Sequence, residues 1–223
     1  MKLSRAIAYL RRLAGLRHPE PKKHFTRIYE ENIFGGEESR SGTGSTLQQT
    51  ERLRRELPGL LTELQVRTFL DAPCGDCHWM AKLDWTGTSY TGVDVVPALI
   101  EANSARLAST NMRFVQADLC RDTLPKVDLI LCRDCWVHLD YGQIMACLAN
   151  FRRSGSEYLL TTTFTDHVKN DDLGGVIWRP INLQLPPFSF PPPEKLIVEG
   201  CTEEEGRFAD KSLGLWRIRE LNI

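Results

Sequence analysis

Four carboxylates each close a short apolar run: Asp71 in "FLDAPCGD", Asp94 in "YTGVDVV", Asp118 in "FVQADLC" and Asp134 in "ILCRDCW". One acid at a strand end is ordinary, because Asp is favoured in turns. Four in succession place a row of hydrogen-bond acceptors along one edge of a sheet. Asp94 lies 19 residues after Gly75 at the end of the next run, where a carboxylate can accept from both hydroxyls of a ribose. Such charge-assisted bonds contribute about 1.5–3 kcal/mol each.

The loop after the first run decides what else the ligand carries. A dinucleotide site uses G-x-G-x-x-G so that backbone and a helix N-terminus can approach a pyrophosphate. Here the matching places hold Pro73, Gly75 and His78, with Asp71 and Asp76 beside them. Two carboxylates repel a diphosphate and suit a nucleoside bearing a cationic sulfonium or ammonium group.

These groups need a scaffold that brings strand ends together. Apolar and β-branched runs predict strands at about 66–71, 89–94, 112–117, 126–132, 156–163 and 213–221, and helical spacing predicts helices near 78–84, 97–108 and 142–152. Pro97 suits a first helical turn. The alternation implies an α/β, Rossmann-like doubly wound, mostly parallel sheet, whose ligands gather at the carboxyl ends of the strands. That domain is expected over 65–223, with a Pro/aromatic-rich insertion at about 166–200 as a loop or edge-strand excursion.

Residues 1–64 are expected to form an N-terminal helical extension and a covering segment. Residues 2–16 read as a basic amphipathic helix, packed on the domain or resting peripherally on an anionic membrane. "HPEPKKH" reads as a linker. Ser45 and Gln48 suggest a capping box opening a helix that Pro58-Gly59 ends.

"LDAPCGD" resembles the first motif of the class I S-adenosylmethionine-dependent methyltransferases, "YTGVDVV" the second, "FVQADLC" the third and "DLILCRDCWVHL" the fourth, over about residues 66–163. The resemblance implies S-adenosylmethionine as cofactor and methyl transfer to oxygen or nitrogen of a small molecule or glycan. It implies cofactor contacts from Asp71, Ala72, Pro73, Cys74 and Gly75, from Asp94 and Val95 at the ribose, from Ala117, Asp118 and Leu119 at the adenine, and from Arg133. Pro73 and Cys77 depart from the family's usual glycines. The "SGTGS" loop resembles a segment folding over the cofactor in some members, which adds Gly44 and Ser45.

Methyl transfer from a sulfonium needs orientation more than dedicated catalysts, but a hydroxyl acceptor profits from a base. Asp134 and His138, four apart, could share a helical face toward the cavity. Asp166, His167, Trp178 and Arg179 follow the fifth strand and could shape an acceptor pocket, Arg179 favouring an anion.

Cys74-x-x-Cys77 and Cys132-x-x-Cys135 raise a rival, a zinc-stabilised interaction module. A zinc point would overlap the nucleoside site, so the cysteines read as packing residues and no metal is assigned. A nucleoside-binding domain without turnover is the other alternative. The 28 basic against 29 acidic residues announce no nucleic-acid partner. Seven cysteines in largely apolar contexts suit a cytoplasmic protein, and no run approaches the roughly 18 apolar residues of a membrane span. The apolar stretch before Arg11 is too short for a secretory signal.

Overall fold

A computed structural model describes residues 20–175 and 177–221. The helix expected at 2–16 lies outside them. Seven strands form one sheet: β1 Thr68–Asp71, β2 Ser89–Asp94, β3 Met112–Gln116, β4 Leu129–Cys132, β5 Tyr158–Phe164, β6 Lys195–Val198 and β7 Lys211–Arg217. Their order is β3-β2-β1-β4-β5-β7-β6. The first five are parallel, and β7 runs antiparallel to both β5 and β6. Strand order reverses between β1 and β4, which opens a crevice at their carboxyl ends.

The central strands β1, β4, β5 and β7 are buried on both faces, whereas the edge strands β3 and β6 are largely open, so the central side chains divide by parity between two cores. Leu70, Ile130, Leu159 and Trp216 enter one core with Ile144, Leu148 and Phe151 of a helix at Tyr141–Ser154. Phe69, Leu129, Leu131 and Leu160 enter the other with Leu53, Leu57 and Leu60 of a helix at Glu51–Glu63. The helices are α1 Pro21–Glu30, α2 Glu51–Glu63, α3 Pro97–Leu107 and α4 Tyr141–Ser154. A reciprocal capping box between Asp140 and Gln143 starts α4, and Gly155 at φ 72° ends it.

Four local expectations need correction. "HPEPKKH" is not a linker throughout, because Pro21 opens α1, whose Phe25, Ile28 and Tyr29 share one face. The Ser45–Gln48 capping box does not form: Ser45 closes a short 3-10 turn, and α2 begins after Thr50. That helix runs through Pro58 because Pro58 and Gly59 are exposed, while Leu57 and Leu60 on the opposite face are buried. Burial of two leucines, about 1.5–3 kcal/mol each, offsets the roughly 3 kcal/mol cost of an interior proline. The helix expected at 78–84 is only a 3-10 turn at Met80–Lys82. Cys77, Trp79, Met80 and Trp85 are all buried there, a clustering that one helical stripe cannot satisfy. Finally, the excursion at 166–200 does include an edge strand, β6.

Candidate active site

A cavity of about 560 Å³ opens at the carboxyl ends of β1, β2 and β4, within the size range of small-molecule sites. Asp71 ends β1, buried, and accepts a 2.6 Å hydrogen bond from the Tyr90 hydroxyl. Burial pushes its carboxyl up to about 7, against the pull of Tyr90. Asp94 ends β2, where its two oxygens accept from the Gly75 amide at 3.1 Å and the Val96 amide at 2.9 Å. Burial raises it to about 6, and those amides limit the rise. Each oxygen retains a lone pair for a further donor.

The loop between them is fixed by its own hydrogen bonds. Gly75 has φ 52°, and a Cβ there would lie 2.1 Å from the Ser41 hydroxyl, so this position requires glycine twice over. Asp76 accepts from Ser39, from Ser41 and from the Arg40 amide, and Ser41 accepts from the Asp76 amide. The segment 39–45 thereby folds over the loop. Asn103 of α3 donates to the Gly75 carbonyl at 2.8 Å.

Of the expected cofactor residues, Asp71, Pro73, Cys74, Gly75, Asp94, Val95, Asp118, Leu119, Arg133, Gly44 and Ser45 line the cavity. Ala72 and Ala117 place their methyl groups in the core instead. Asp118 accepts from the Cys120 amide at 2.8 Å, which orders the turn after β3. Arg133 is buried and its guanidinium is committed: it donates to both Glu199 oxygens and to the Gly44 carbonyl, and lies 5.7 Å over the Trp79 ring.

Asp134 and His138 both line the cavity but share no helical face. Asp134 sits at φ 51°, before a 3-10 turn at Trp136–His138. Burial alone would raise its carboxyl, yet Arg133 and Lys211, whose Nζ donates at 2.6 Å, hold it down at about 2. Held this low by two cations, it is a weaker proton acceptor near neutrality than an ordinary carboxylate. His138 differs. Burial lowers it to about 4, despite the Ile177 carbonyl 2.6 Å from Nδ1. With Nδ1–H donating to that carbonyl, the neutral ring carries its lone pair on Nε2. The Phe34 ring packs 4.8 Å from it.

The expected acceptor residues separate. Trp178 lines the cavity within an aromatic group, its ring 5.7 Å from Phe164 and 4.8 Å from Phe208. Asp166 is exposed and outside the cavity wall, as is half-buried His167. Arg179 is not an anion site: buried, it donates to the carbonyls of Trp136, Leu139 and Asp171. A structural role consumes all of its nitrogens.

Residues beyond those expected complete the walls. Phe25 and Tyr29 come from α1, Phe34 from the turn after it, and Phe208 and Lys211 from the region opening β7. The i, i+4 spacing of Phe25 and Tyr29 was a usable helical signal. The partnership of Lys211 with Asp134 and Glu199 spans distant segments and leaves no local trace.

The paired CxxC motifs do not converge. Cys77 belongs to one core and Cys132 and Cys135 to the other, on opposite faces of the sheet. The Cys77 thiol meets the Tyr90 hydroxyl at 3.3 Å. Among the described residues, no group of three or more His, Cys, Asp or Glu is placed to hold a metal ion.

This sheet order, with an antiparallel seventh strand and a crevice at the switch point, is the fold of the class I S-adenosylmethionine-dependent methyltransferases. Residues 69–155 match a family described as a methyltransferase domain. No curated protein matches it in sequence. Among solved structures, Burkholderia thailandensis 1,6-didemethyltoxoflavin-N1-methyltransferase shares 15% identity over 91% of this chain and 92% of its own, with TM-score 0.58. Human N-acetylserotonin methyltransferase shares 15% over 96% and 66%, TM-score 0.58. The methyltransferase domain of bacterial CtHen1-C shares 16% over 77% and 98%, TM-score 0.55.

The residues present fit S-adenosylmethionine. Asp94 keeps acceptor capacity for ribose hydroxyls, and the desolvated Asp71 and Asp94 favour a neighbouring cation. When bound, the cofactor supplies an activated methyl group.

Proposed function

We propose that the enzyme methylates oxygen or nitrogen of a small, largely apolar acceptor in a reducing, cytoplasmic setting. The observation that carries this reading is His138: a neutral imidazole in the cavity wall, oriented by the Ile177 carbonyl so that Nε2 is the proton-accepting atom. A base held near 4 does not deprotonate an alcohol outright. It accepts the acceptor's proton as the new bond forms, a role typically contributing about 10²–10⁴-fold in rate.

The remaining walls support orientation. Phe25, Tyr29, Phe34, Phe164, Trp178 and Phe208 offer aromatic faces, against which a flat acceptor packs with few rotatable groups. Holding nucleophile and methyl in line can contribute up to about 7–11 kcal/mol in favourable models. The Asp134 carboxylate, neutralised by Arg133 and Lys211, tethers the floor of the site and moves no proton. A small molecule is favoured over a glycan because cofactor and acceptor must share about 560 Å³. Two structurally similar enzymes are named for 1,6-didemethyltoxoflavin and N-acetylserotonin, both compact molecules. All seven cysteines are free, in keeping with a reducing compartment. Among the described residues, no helix is long and apolar enough to cross a membrane.

The test is transfer of a labelled methyl group from S-adenosylmethionine to fractionated small-molecule extracts, followed by His138→Gln on any acceptor found. Labelling confined to the polysaccharide fraction, or full activity of the variant, contradicts the reading.

A further inference from the structure

Two thiols in the cavity wall stand apart from the methyl-transfer chemistry. Cys120, half-buried in the turn after β3, and Cys147, fully buried on α4, bring their sulfurs to 3.3 Å. Both line the cavity, next to Asp118 and Leu119. A disulfide is about 2.05 Å long, so closure requires the sulfurs to approach by little more than a bond-length adjustment. The turn and the helix are already clamped: Asn150, on α4, donates to the carbonyls of Leu119 and Asp122 at 2.8 and 2.7 Å.

The two sulfurs are not equivalent. The hydrogen bond with Cys120, together with burial, keeps the Cys147 thiol well above its ordinary range and so protonated. Cys120 is the one that solvent in the cavity can reach. The other cavity thiols lack this combination: Cys135 is paired with the buried Cys132, Cys74 is buried in the loop, and Cys201 is buried with its sulfur toward Glu203.

We propose that Cys120 and Cys147 are an oxidisable thiol pair, converted to a disulfide by a hydroperoxide that enters the empty cavity, and that this disulfide and S-adenosylmethionine oppose one another. The proposal rests on the reading that the nucleoside lies beside Asp118. The Cys120 thiolate attacks one peroxide oxygen; an S–O bond forms, the O–O bond breaks, and hydroxide leaves to become water. The Cys147 sulfur then displaces water from the sulfenic acid, forming the S–S bond and giving up its proton. The two thiols lose two electrons and the peroxide gains them.

Coupling to the cofactor follows from the turn. The Cys120 amide donates to Asp118, so drawing Cys120 toward α4 pulls the Asp118 carboxylate with it and reshapes the wall beneath the base. Because binding linkage is reciprocal, a disulfide that weakens the cofactor must itself be disfavoured when the cofactor is bound.

Hydrogen peroxide is added to the full-length reduced protein with and without saturating S-adenosylhomocysteine, and disulfides are located by non-reducing peptide mapping. The expected product links Cys120 to Cys147, forms at least about fivefold more slowly with the ligand, and binds it at least about fivefold more weakly, the lower end of typical coupling. Cys147→Ala should divert Cys120 to sulfinic acid. A map showing Cys132–Cys135 as the link, or no link, overturns the thiol pair. Equal oxidation rates in a protein that binds the ligand when reduced overturn the coupling. Failure of the reduced protein to bind S-adenosylhomocysteine strikes the site reading itself, while the peptide map still judges the thiol pair.

Discussion

Lowering the pH should weaken cofactor binding through one identifiable carboxylate. Asp94 is raised from 3.8 to about 6, mainly by burial, which opposes its ionised form. Ribose hydroxyls bond the ionised form best, so only that fraction of the protein binds well, and the apparent Kd scales inversely with it. At about pH 8 nearly all of Asp94 is charged; at about pH 5 roughly one-tenth is, which makes S-adenosylhomocysteine bind about tenfold more weakly. Calorimetric titration across that range measures this directly. Asp94→Asn should bind about 10- to 100-fold more weakly at high pH, the loss of one charge-assisted bond of about 1.5–3 kcal/mol, and should lose the slope near pH 6.

The free protein should show the opposite trend. A carboxylate whose folded value lies above its unfolded one keeps its full stability contribution below the unfolded value, and loses it as pH rises through the folded one. For Asp94 that window runs from 3.8 to about 6, and Asp71, raised to about 7, extends the loss upward. Thermal melts without ligand should therefore fall over this window while ligand affinity climbs. A wild-type Kd indifferent to pH, or an Asp94→Asn variant that keeps the slope, removes Asp94 from the ribose.

Other outcomes test separate parts of the site. His138→Gln should lower kcat on a hydroxyl acceptor by about 10²–10⁴-fold while changing S-adenosylhomocysteine affinity less than about twofold, read by paired kinetics and calorimetry. Gly75→Ala places a methyl against Ser41 at a positive φ; a loss of about 1–3 kcal/mol should appear as a lower melting temperature and weaker cofactor binding. Glu199→Gln leaves the buried Arg133 and Lys211 short of a countercharge, and removing one partner of such a pair costs about 3–5 kcal/mol, measurable by urea unfolding.

The parts legible in sequence were those encoded by neighbours. Each site carboxylate follows its own apolar run, so Asp71, Asp94 and Asp118 could be placed at strand ends without knowing which strands pair. α4 likewise carried its start and stop locally, in Asp140, Gln143 and Gly155. Errors arose where a local signal met a distant contact. Pro58 and Gly59 read as a helix end because a sequence does not say that both face solvent while Leu57 and Leu60 meet Phe69's side of the sheet. Arg179 read as an anion receptor, but three carbonyls from two separate segments had already claimed it.

The charged floor of the cavity shows why such errors concentrate at functional sites. Arg133 reaches Glu199, 66 positions away, and Asp134 reaches Lys211, 77 away; each residue alone is an unremarkable charge. Together they neutralise one another, leaving Asp71 and Asp94 as the cavity acids whose ionisation is still opposed by burial. Cation preference is therefore set by which carboxylates lack a fixed partner, not by how many acids line the crevice. Lys211→Met should shift that balance by leaving Asp134 a third underpaired acid. S-adenosylmethionine, which carries the positive sulfur, should then gain on S-adenosylhomocysteine in relative affinity, as competition binding would show; an unchanged ratio would mean that Arg133 alone suffices to mask Asp134.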